Sequence, residues 1–192
     1  MKLEKYSMGI GDRFGFQCAA QLRALQKAAG SGIGIVPVWN KSNREHVIAR
    51  TVPEDASKAA VEAVRACGWT DSYYIDADHI GRATVDAFLP THNFFTIDVA
   101  DYIGKSVQGA SAGSFLGAMA KYKGSLAIPG TQAPLQIEDR ALGDFTRKYL
   151  CAISEAGKVY RHIAEKKGAE NFVTEISMDE AQTAQTPAEL FM

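Results

Sequence analysis

Short strand-like runs alternate with longer helical patterns along most of the chain. Apolar residues recur at helical spacing in the longer segments, for example at Leu22, Leu25 and Ala29, whereas the short runs are continuously apolar. The sequence predicts strands near 6–11, 33–39, 72–76, 94–98 and 171–177. It predicts helices over 17–29, 54–67, 82–88 and 141–167. Such alternation favours an α/β fold with a parallel sheet.

The composition is that of an ordinary globular domain. The 192 residues are 46% hydrophobic and 22% charged, and one domain is expected at this length. The formal net charge is -1 and the chain has no basic run, so it lacks the electrostatic footprint of nucleic-acid binding. No apolar stretch has the length of a membrane span, and the N-terminus has no apolar signal core. We therefore expect a cytoplasmic protein that acts on small molecules and binds neither nucleic acid nor membrane.

Two of the predicted strands end in acidic residues. One, YYIDADH, contains Asp76 and Asp78, and the other, FFTIDVAD, contains Thr96 and Asp98. Because side chains alternate along a strand, the two residues of each pair share one face. Carboxylates are costly to bury without a partner, and the carboxyl ends of parallel strands meet at one edge. The pattern predicts a catalytic or metal-binding pocket at that edge.

A segment rich in Gly, Ser and Ala, at 104–138, interrupts the alternation. It separates the fourth strand from its helix by far more than the roughly two to six residues usual for such a loop. One interpretation is a lid or substrate-binding excursion at the active face, and the other is a small helical insertion over 115–122. Its glycines do not fit the GxxxxGK[ST] phosphate-loop pattern, so nucleotide binding is not predicted.

The last residues read as the start of a helix. Thr186 and Glu189 form a capping-box pattern, with Pro187 at the first helical position and apolar residues after it. So short a helix is not stable alone. About five βα units also fall short of the eight of a closed barrel. We expect a truncated product that exposes apolar surface and is either marginally stable or self-associating.

Five sequence strings, taken together and in this order, resemble the tagaturonate epimerase family. They are GDRFG at 11–15, PVWNKSNREH at 37–46, DADHI at 76–80, FFTIDVADYIG at 94–104 and EISMDEAQTAQTPAELF at 175–191. The resemblance implies a TIM-type (β/α) parallel barrel, here an incomplete single domain over 1–192. It also implies metal-dependent interconversion of D-tagaturonate and D-fructuronate in hexuronate breakdown. The family is longer, and its C-terminal part, which supplies further histidine ligands, is absent from this chain.

The exit of the third strand carries the first pair of candidate site residues. A carboxylate there can act as a general base, and an imidazole can hold a divalent metal. The resemblance implies that Asp78 is the proton acceptor and that His79 is a ligand of a divalent cation. The alternative is that Asp78 caps a helix beginning near Ile80 while His79 packs. For Asp76, support of the site and direct catalysis both stay open.

The fifth predicted strand carries the candidate proton donor. A catalyst that inverts a carbon needs a donor on the face opposite its base. The resemblance places that acid in this segment, and we expect Glu175 because it lies within the strand, with Glu180 as the second candidate. A solvated acidic loop is the alternative.

Charged residues after the first two strands are candidate contacts for a sugar acid. Arginine recognises a carboxylate with a bidentate fork, so Arg13 or Arg44 could anchor a hexuronate. Each could instead pair with a neighbouring acid such as Asp12 or Glu45. His46 is expected to cap or pack, and His92 and His162 to lie on the surface. The predicted substrate-binding set is Asp12, Arg13, Lys41, Arg44 and Asp98.

The implied reaction is demanding, because tagaturonate and fructuronate differ at the carbon β to the ketone. Removal of the acidic α-proton does not invert that carbon. A retro-aldol cleavage, rotation of the aldehyde fragment and re-addition would, with a divalent ion polarising the oxygens. Transient oxidation is the other route, although the sequence has no dinucleotide fingerprint. Three rival functions are a metal-dependent hydrolase, a ketose isomerase and a non-catalytic fragment that binds a sugar acid.

Overall fold

The computed structural model describes residues 1–107, 111–179 and 184–192. The strands in this part of the chain are β1 (Ser7–Gly11), β2 (Val36–Ser42), β3 (Tyr74–Ile80), β4 (Phe94–Asp98), β5 (Gly124–Leu126), β6 (Leu135–Ile137) and β7 (Val173–Ser177). The helices are α1 (Cys18–Gly30), α2 (Asn43–Ala49), α3 (Pro53–Cys67), α4 (Ser111–Met119), α5 (Asp139–Lys167) and α6 (Pro187–Phe191). The chain divides into two compact units, Met1–Asp98 with Lys158–Ser177, and Val99–Gly157 with Met178–Met192.

The first unit contains a five-stranded sheet in the order β1-β2-β3-β4-β7. Every neighbouring pair in it is parallel. All five predicted strands are therefore confirmed, as is the α/β class with a parallel sheet. Closure into a TIM-type barrel stays a prediction.

One face of this sheet is covered by helices. Trp39 and Ile75 lie in a buried cluster with Cys18 and Leu22 of α1 and with Ala60 and Ala63 of α3. The small alanine side chains allow α3 to approach the sheet closely, and the apolar spacing within α1 and α3 supplies the buried stripe. The indole N–H of Trp39 donates to Oε1 of Gln21 at 3.0 Å, so its polar atom is paired inside this core.

The other face changes from apolar to polar along the strands. Near the strand starts, Val38, Tyr74 and Phe94 form a buried apolar cluster. The register then places polar side chains side by side toward the carboxyl ends: Asn40 beside Asp76, Thr96 beside Glu175, Ser42 beside Asp78, and Asp98 beside Ser177. The period-two alternation of each strand thus delivers the polar residues to one edge of one face.

Two local elements differ from the sequence expectation. Residues 43–49 form α2, which begins with a capping box in which Ser42 and Glu45 each accept from the other's backbone N–H. The helix predicted over 82–88 is reduced to a single 3-10 turn at Val85–Ala87. Thr84 accepts the backbone N–H of Gly81 in a tight turn, and Phe88 is fully buried, so tertiary packing overrides the local pattern.

The second unit contains α4, the antiparallel β5–β6 pair and α6. Helix α4 and a following 3-10 turn at Ala120–Tyr122 confirm the predicted helical insertion, in which Phe115 stacks on Phe145 with ring centroids 5.8 Å apart. The capping box of Thr186 and Glu189 also forms, and Lys148 pairs with Glu189 at 3.0 Å. A lid function for 104–138 stays a prediction, and 108–110 lie outside the described residues. None of the described helices combines the length and apolar character needed to cross a bilayer.

Candidate active site at the carboxyl ends of the strands

A β-bulge in β3 shapes the site. Ala77 pairs with Phe95 and Ile80 pairs with Ile97, so β3 carries one residue more than β4 between these pairs. His79 takes up the extra residue with a φ of 49°, a left-handed conformation that costs a non-glycine residue about 1 kcal/mol. The bulge returns Ile80 to the buried helix-covered face, where it is fully buried.

The bulge brings His79 into a pair with Asp98 of β4. The distance from His79 Nδ1 to Asp98 Oδ2 is 3.1 Å, and that from His79 Nε2 to Asp78 Oδ1 is 3.8 Å. The side chains of these three residues are between 21% and 38% exposed, so a small molecule or ion can reach them. The structure thus joins the predicted base, the predicted metal ligand and one predicted substrate contact. Strand β3 continues through Ile80, so the alternative of a helix capped by Asp78 is wrong.

Asp76 lies one step deeper on the face shared with Asp78. Its Oδ1 accepts the backbone N–H of Thr96 at 3.1 Å, and its Oδ2 accepts the Thr96 hydroxyl at 2.9 Å. Burial raises the pKa of Asp76 to about 7, against the hydrogen bonds from Thr96, which lower it. The charges of Asp78 and Glu175 raise the pKa further, so these carboxyl groups share one electrostatic environment.

The predicted proton donors lie at β7 and beyond. Glu175 is exposed on β7, directly opposite Thr96 in the register. Its charge is one of the causes that raise the pKa of Asp76. Glu180 lies outside the described residues.

Asp12 organises the loop between β1 and α1. Its carboxylate accepts the backbone N–H groups of Gly15, Phe16, Gln17 and Cys18 at 2.6–3.2 Å. Burial acts to raise the pKa of Asp12, but these hydrogen bonds and one from the Cys18 thiol hold it below its usual value. Both oxygens are thus engaged by the protein itself, and the geometry gives Asp12 a structural role at the start of α1.

The two arginines of the predicted substrate set lie at the rim. Arg13 Nε lies 2.6 Å from Glu45 Oε1, so the alternative pairing with a neighbouring acid is the one observed. The Arg13 side chain is 73% exposed. Arg44 is exposed on α2.

Lys41 faces away from the acidic cluster of Asp76, Asp78 and Asp98. Its predicted place among the substrate contacts is therefore wrong. It pairs with Ala77 and is 4% exposed, and its Nζ donates to Thr51 Oγ1 at 2.8 Å. The reason is strand length: β2 was expected to end at Trp39, but it continues to Ser42, so alternation turns Lys41 toward the helices. The same alternation turns Asn40 toward Asp76, a site-face residue that was not predicted but could have been found by extending the strand pattern.

His92 is buried, so its predicted surface location is wrong. It is 1% exposed and packs edge-on against Phe88, with ring centroids 5.0 Å apart. His46 packs on the same Phe88 ring at 5.8 Å, as expected of a packing residue. Within the described residues, Nε2 of each imidazole is buried without a hydrogen-bond partner. Neither histidine belongs to the His79 site.

Three solved structures share the fold of this chain. Three crystal structures of the fructuronate-tagaturonate epimerase UxaE from Cohnella laeviribosi, two with glycerol and one native, match with TM-scores of 0.73, 0.72 and 0.71. Their sequence identities to this chain are 20%, 20% and 21%, and each match covers 97% of this chain. The chain spans 40% of the length of those structures.

Sequence comparison identifies the family. No curated protein matches the chain. The family model of UxaE, tagaturonate epimerase, matches residues 1–192, which is the whole chain. The chain therefore belongs to the tagaturonate epimerase family.

Proposed function

We propose that this chain is part of a metal-dependent epimerase that interconverts D-tagaturonate and D-fructuronate. The observation that carries the proposal is the placement of His79 between Asp78 and Asp98, at the carboxyl ends of parallel strands, in a chain of this family. The similar Cohnella laeviribosi structures are named fructuronate-tagaturonate epimerase, which supports the same substrate pair. We also propose that the five-stranded sheet is part of a TIM-type barrel, since such barrels place catalytic groups at this edge.

The donor set at this edge fits a divalent cation. An imidazole nitrogen and carboxylate oxygens are ligands that Zn²⁺ and other first-row divalent metals accept. His79 would hold the ion, with Asp98 as the adjacent carboxylate. When bound, the cation supplies polarisation of carbonyl and alkoxide oxygens.

The protein's own acids would move the protons. In a retro-aldol route, Asp78 takes the proton from the hydroxyl group on the carbon to be inverted. The bond between that carbon and its neighbour α to the ketone then breaks, which leaves an aldehyde and an enediolate. After the aldehyde rotates, the bond re-forms on its other face, and Glu175 returns a proton to the new alkoxide. No atom is gained or lost in this sequence, as an epimerisation requires.

The proposed partner is a small-molecule sugar acid, and the proposed location is the cytoplasm. Self-association is part of the proposal because apolar side chains are exposed at both outer strands of the sheet. Met8 on β1 is 52% exposed and Ile176 on β7 is 51% exposed. Exposed apolar surface beside an open strand edge favours contact with another polypeptide.

One alternative has its own supporting observation. The second candidate is a protein that binds a sugar acid without turnover, which the 73% exposed guanidinium of Arg13 would support as a carboxylate contact. In this alternative the protein binds the sugar acid but does not convert it.

The test is an assay for interconversion. Purified protein is incubated with tagaturonate or fructuronate and with added Mn²⁺, Co²⁺, Ni²⁺ or Zn²⁺, and both sugar acids are quantified by NMR. We expect conversion in both directions that His79→Gln abolishes and that Thr174→Val retains, since Thr174 pairs with Phe95 away from the acidic cluster. Binding of either sugar acid without conversion would favour the second candidate. If the protein neither binds nor converts either sugar acid, the proposal is wrong.

A further inference from the structure

Asp76 and Thr96 form a buried pair between β3 and β4. Asp76 is 4% exposed and Thr96 is 3% exposed. Both carboxyl oxygens of Asp76 are occupied by Thr96, one by its backbone N–H at 3.1 Å and the other by its hydroxyl at 2.9 Å. A buried carboxyl group is costly, and the same space could hold an apolar side chain at lower cost. The presence of a buried acid here is therefore best explained by the two hydrogen bonds that its oxygens accept from Thr96.

The pair lies next to the bulge of β3. Regular pairing stops at Ala77 with Phe95 and resumes at Ile80 with Ile97, so Thr96 stands opposite the irregular stretch. A bulge disrupts the ladder of backbone hydrogen bonds around it. Asp76 supplies an acceptor to the backbone amide that faces this disruption.

The bulge in turn decides where His79 points. Its φ of 49° lies in a region that residues with side chains rarely adopt, so the surrounding structure must hold it. In regular alternation the side chain at position 79 would share the helix-covered face of Ala77. With the bulge, His79 Nδ1 comes within 3.1 Å of Asp98 Oδ2, only two residues after Thr96 on β4.

We propose that Asp76 is a positioning residue which, by binding Thr96, fixes the bulge that turns His79 toward Asp98. Asp76 acts through Thr96, and no contact between Asp76 and the substrate is required. The inference rests on the proposed function only in taking His79 and Asp98 as part of the site. The orientation of His79 can be measured without metal or substrate.

Two substitutions weaken the pair with little change in shape. Thr96→Val removes the hydroxyl and keeps the backbone amide, and Asp76→Asn removes the carboxylate. Thr96→Ser keeps the hydroxyl and should behave as the wild type. Thr174→Val is the matched control, because the Thr174 hydroxyl is buried without a hydrogen-bond partner among the described residues.

The readout is the Nδ1 resonance of His79 in metal-free, ¹⁵N-labelled protein, assigned by its loss in His79→Gln. We expect Thr96→Val and Asp76→Asn to shift this resonance toward that of a histidine without a carboxylate partner, and Thr96→Ser and Thr174→Val to leave it in place. An unchanged resonance in folded Thr96→Val and Asp76→Asn would overturn the proposal, even if both variants were less stable. If one of the two fails to fold, the other decides. If both fail while Thr174→Val folds, the role is general support of the sheet and the proposal is wrong.

This experiment separates the positioning role from the reaction. A His79 resonance that does not respond refutes positioning and leaves the epimerase proposal standing. Lack of interconversion in the assay leaves the positioning result unaffected.

Discussion

His79 Nδ1 lies 3.1 Å from Asp98 Oδ2, across the junction of two parallel strands. Regular alternation would direct the two side chains to opposite faces of the sheet, because His79 follows Asp78, which shares its face with Asp76. One extra residue in β3 removes this conflict. The same local change sends Ile80 back into the core and His79 out to the polar edge, so the packing of the sheet and the geometry of the site depend on one bulge.

The contact predicts that Asp98 contributes to divalent-cation binding. Asp98→Asn should weaken binding of Zn²⁺ by about 10–100-fold, because an amide is neutral and orients the imidazole less well. Isothermal titration calorimetry of wild type and variant measures the difference. Asp71→Asn, which changes an exposed carboxylate, should bind like the wild type. Equal affinities for wild type and Asp98→Asn would show that the His79 to Asp98 contact has no part in metal binding.

Asp12 leads to a prediction about stability. Asp12→Ala leaves four backbone N–H groups at the start of α1 without their acceptor and should lower the free energy of unfolding by about 1–3 kcal/mol. Urea denaturation followed by circular dichroism measures the loss. Asp71→Ala, on an exposed loop, should change the free energy by less than about 0.5 kcal/mol. A stable Asp12→Ala protein with weakened sugar-acid binding would instead support the predicted substrate contact.

Local patterns predicted the acidic edge of the sheet well, since they follow from strand alternation. Asp76, Asp78, Thr96 and Asp98 were placed correctly on this basis. The orientation of His79 could not be predicted, because the bulge is a property of how β3 pairs with β4 and not of β3 alone.

Lys41 shows a different limit. The prediction that Lys41 contacts the substrate is wrong because β2 ends at Ser42, three residues after its predicted end at Trp39, so alternation turns Lys41 to the other face. The sequence does contain a signal for the start of α2, because Ser42 and Glu45 have the spacing of a capping box. The burial of His92 depends on the packing of its ring against Phe88, a tertiary contact that local sequence patterns do not predict.

The two buried histidines predict that stability falls in acid. Burial lowers the pKa of His46 to about 4, with a further contribution from the charge of Lys41, and burial lowers the pKa of His92 to about 3. In the unfolded chain a histidine has a pKa near 6.5. Below about pH 6.5 the unfolded state therefore binds protons that the folded state does not, and stability is lost as pH falls toward these folded values.

The effect can be measured at one of the two positions. His92→Gln should reduce the pH dependence of the unfolding free energy by about 2 kcal/mol between pH 6.0 and pH 4.5, whatever its own stability. Asp76 works in the opposite direction, because its raised pKa favours the folded state at low pH, so only the difference between wild type and variant is diagnostic. Urea titrations of wild type and His92→Gln at pH 6.0 and pH 4.5 measure this difference in unfolding free energy. His162→Gln leaves both buried imidazoles in place and should not reproduce the change, and identical slopes for wild type and His92→Gln would contradict the prediction.

Arg13 offers a choice between an ion pair and a substrate anchor. Because its side chain is 73% exposed, the contact with Glu45 should contribute less than about 1 kcal/mol in a double-mutant cycle of Arg13→Ala and Glu45→Ala. The exposed guanidinium also leaves donors that a hexuronate carboxylate can accept in a bidentate pair. If Arg13 anchors the substrate, Arg13→Ala raises the Kd for either sugar acid at least tenfold, Arg13→Lys recovers part of the loss, and Glu45→Ala leaves affinity almost unchanged. Fluorescence or calorimetric titration of the three variants decides, and equal affinities throughout would assign Arg13 to the ion pair alone.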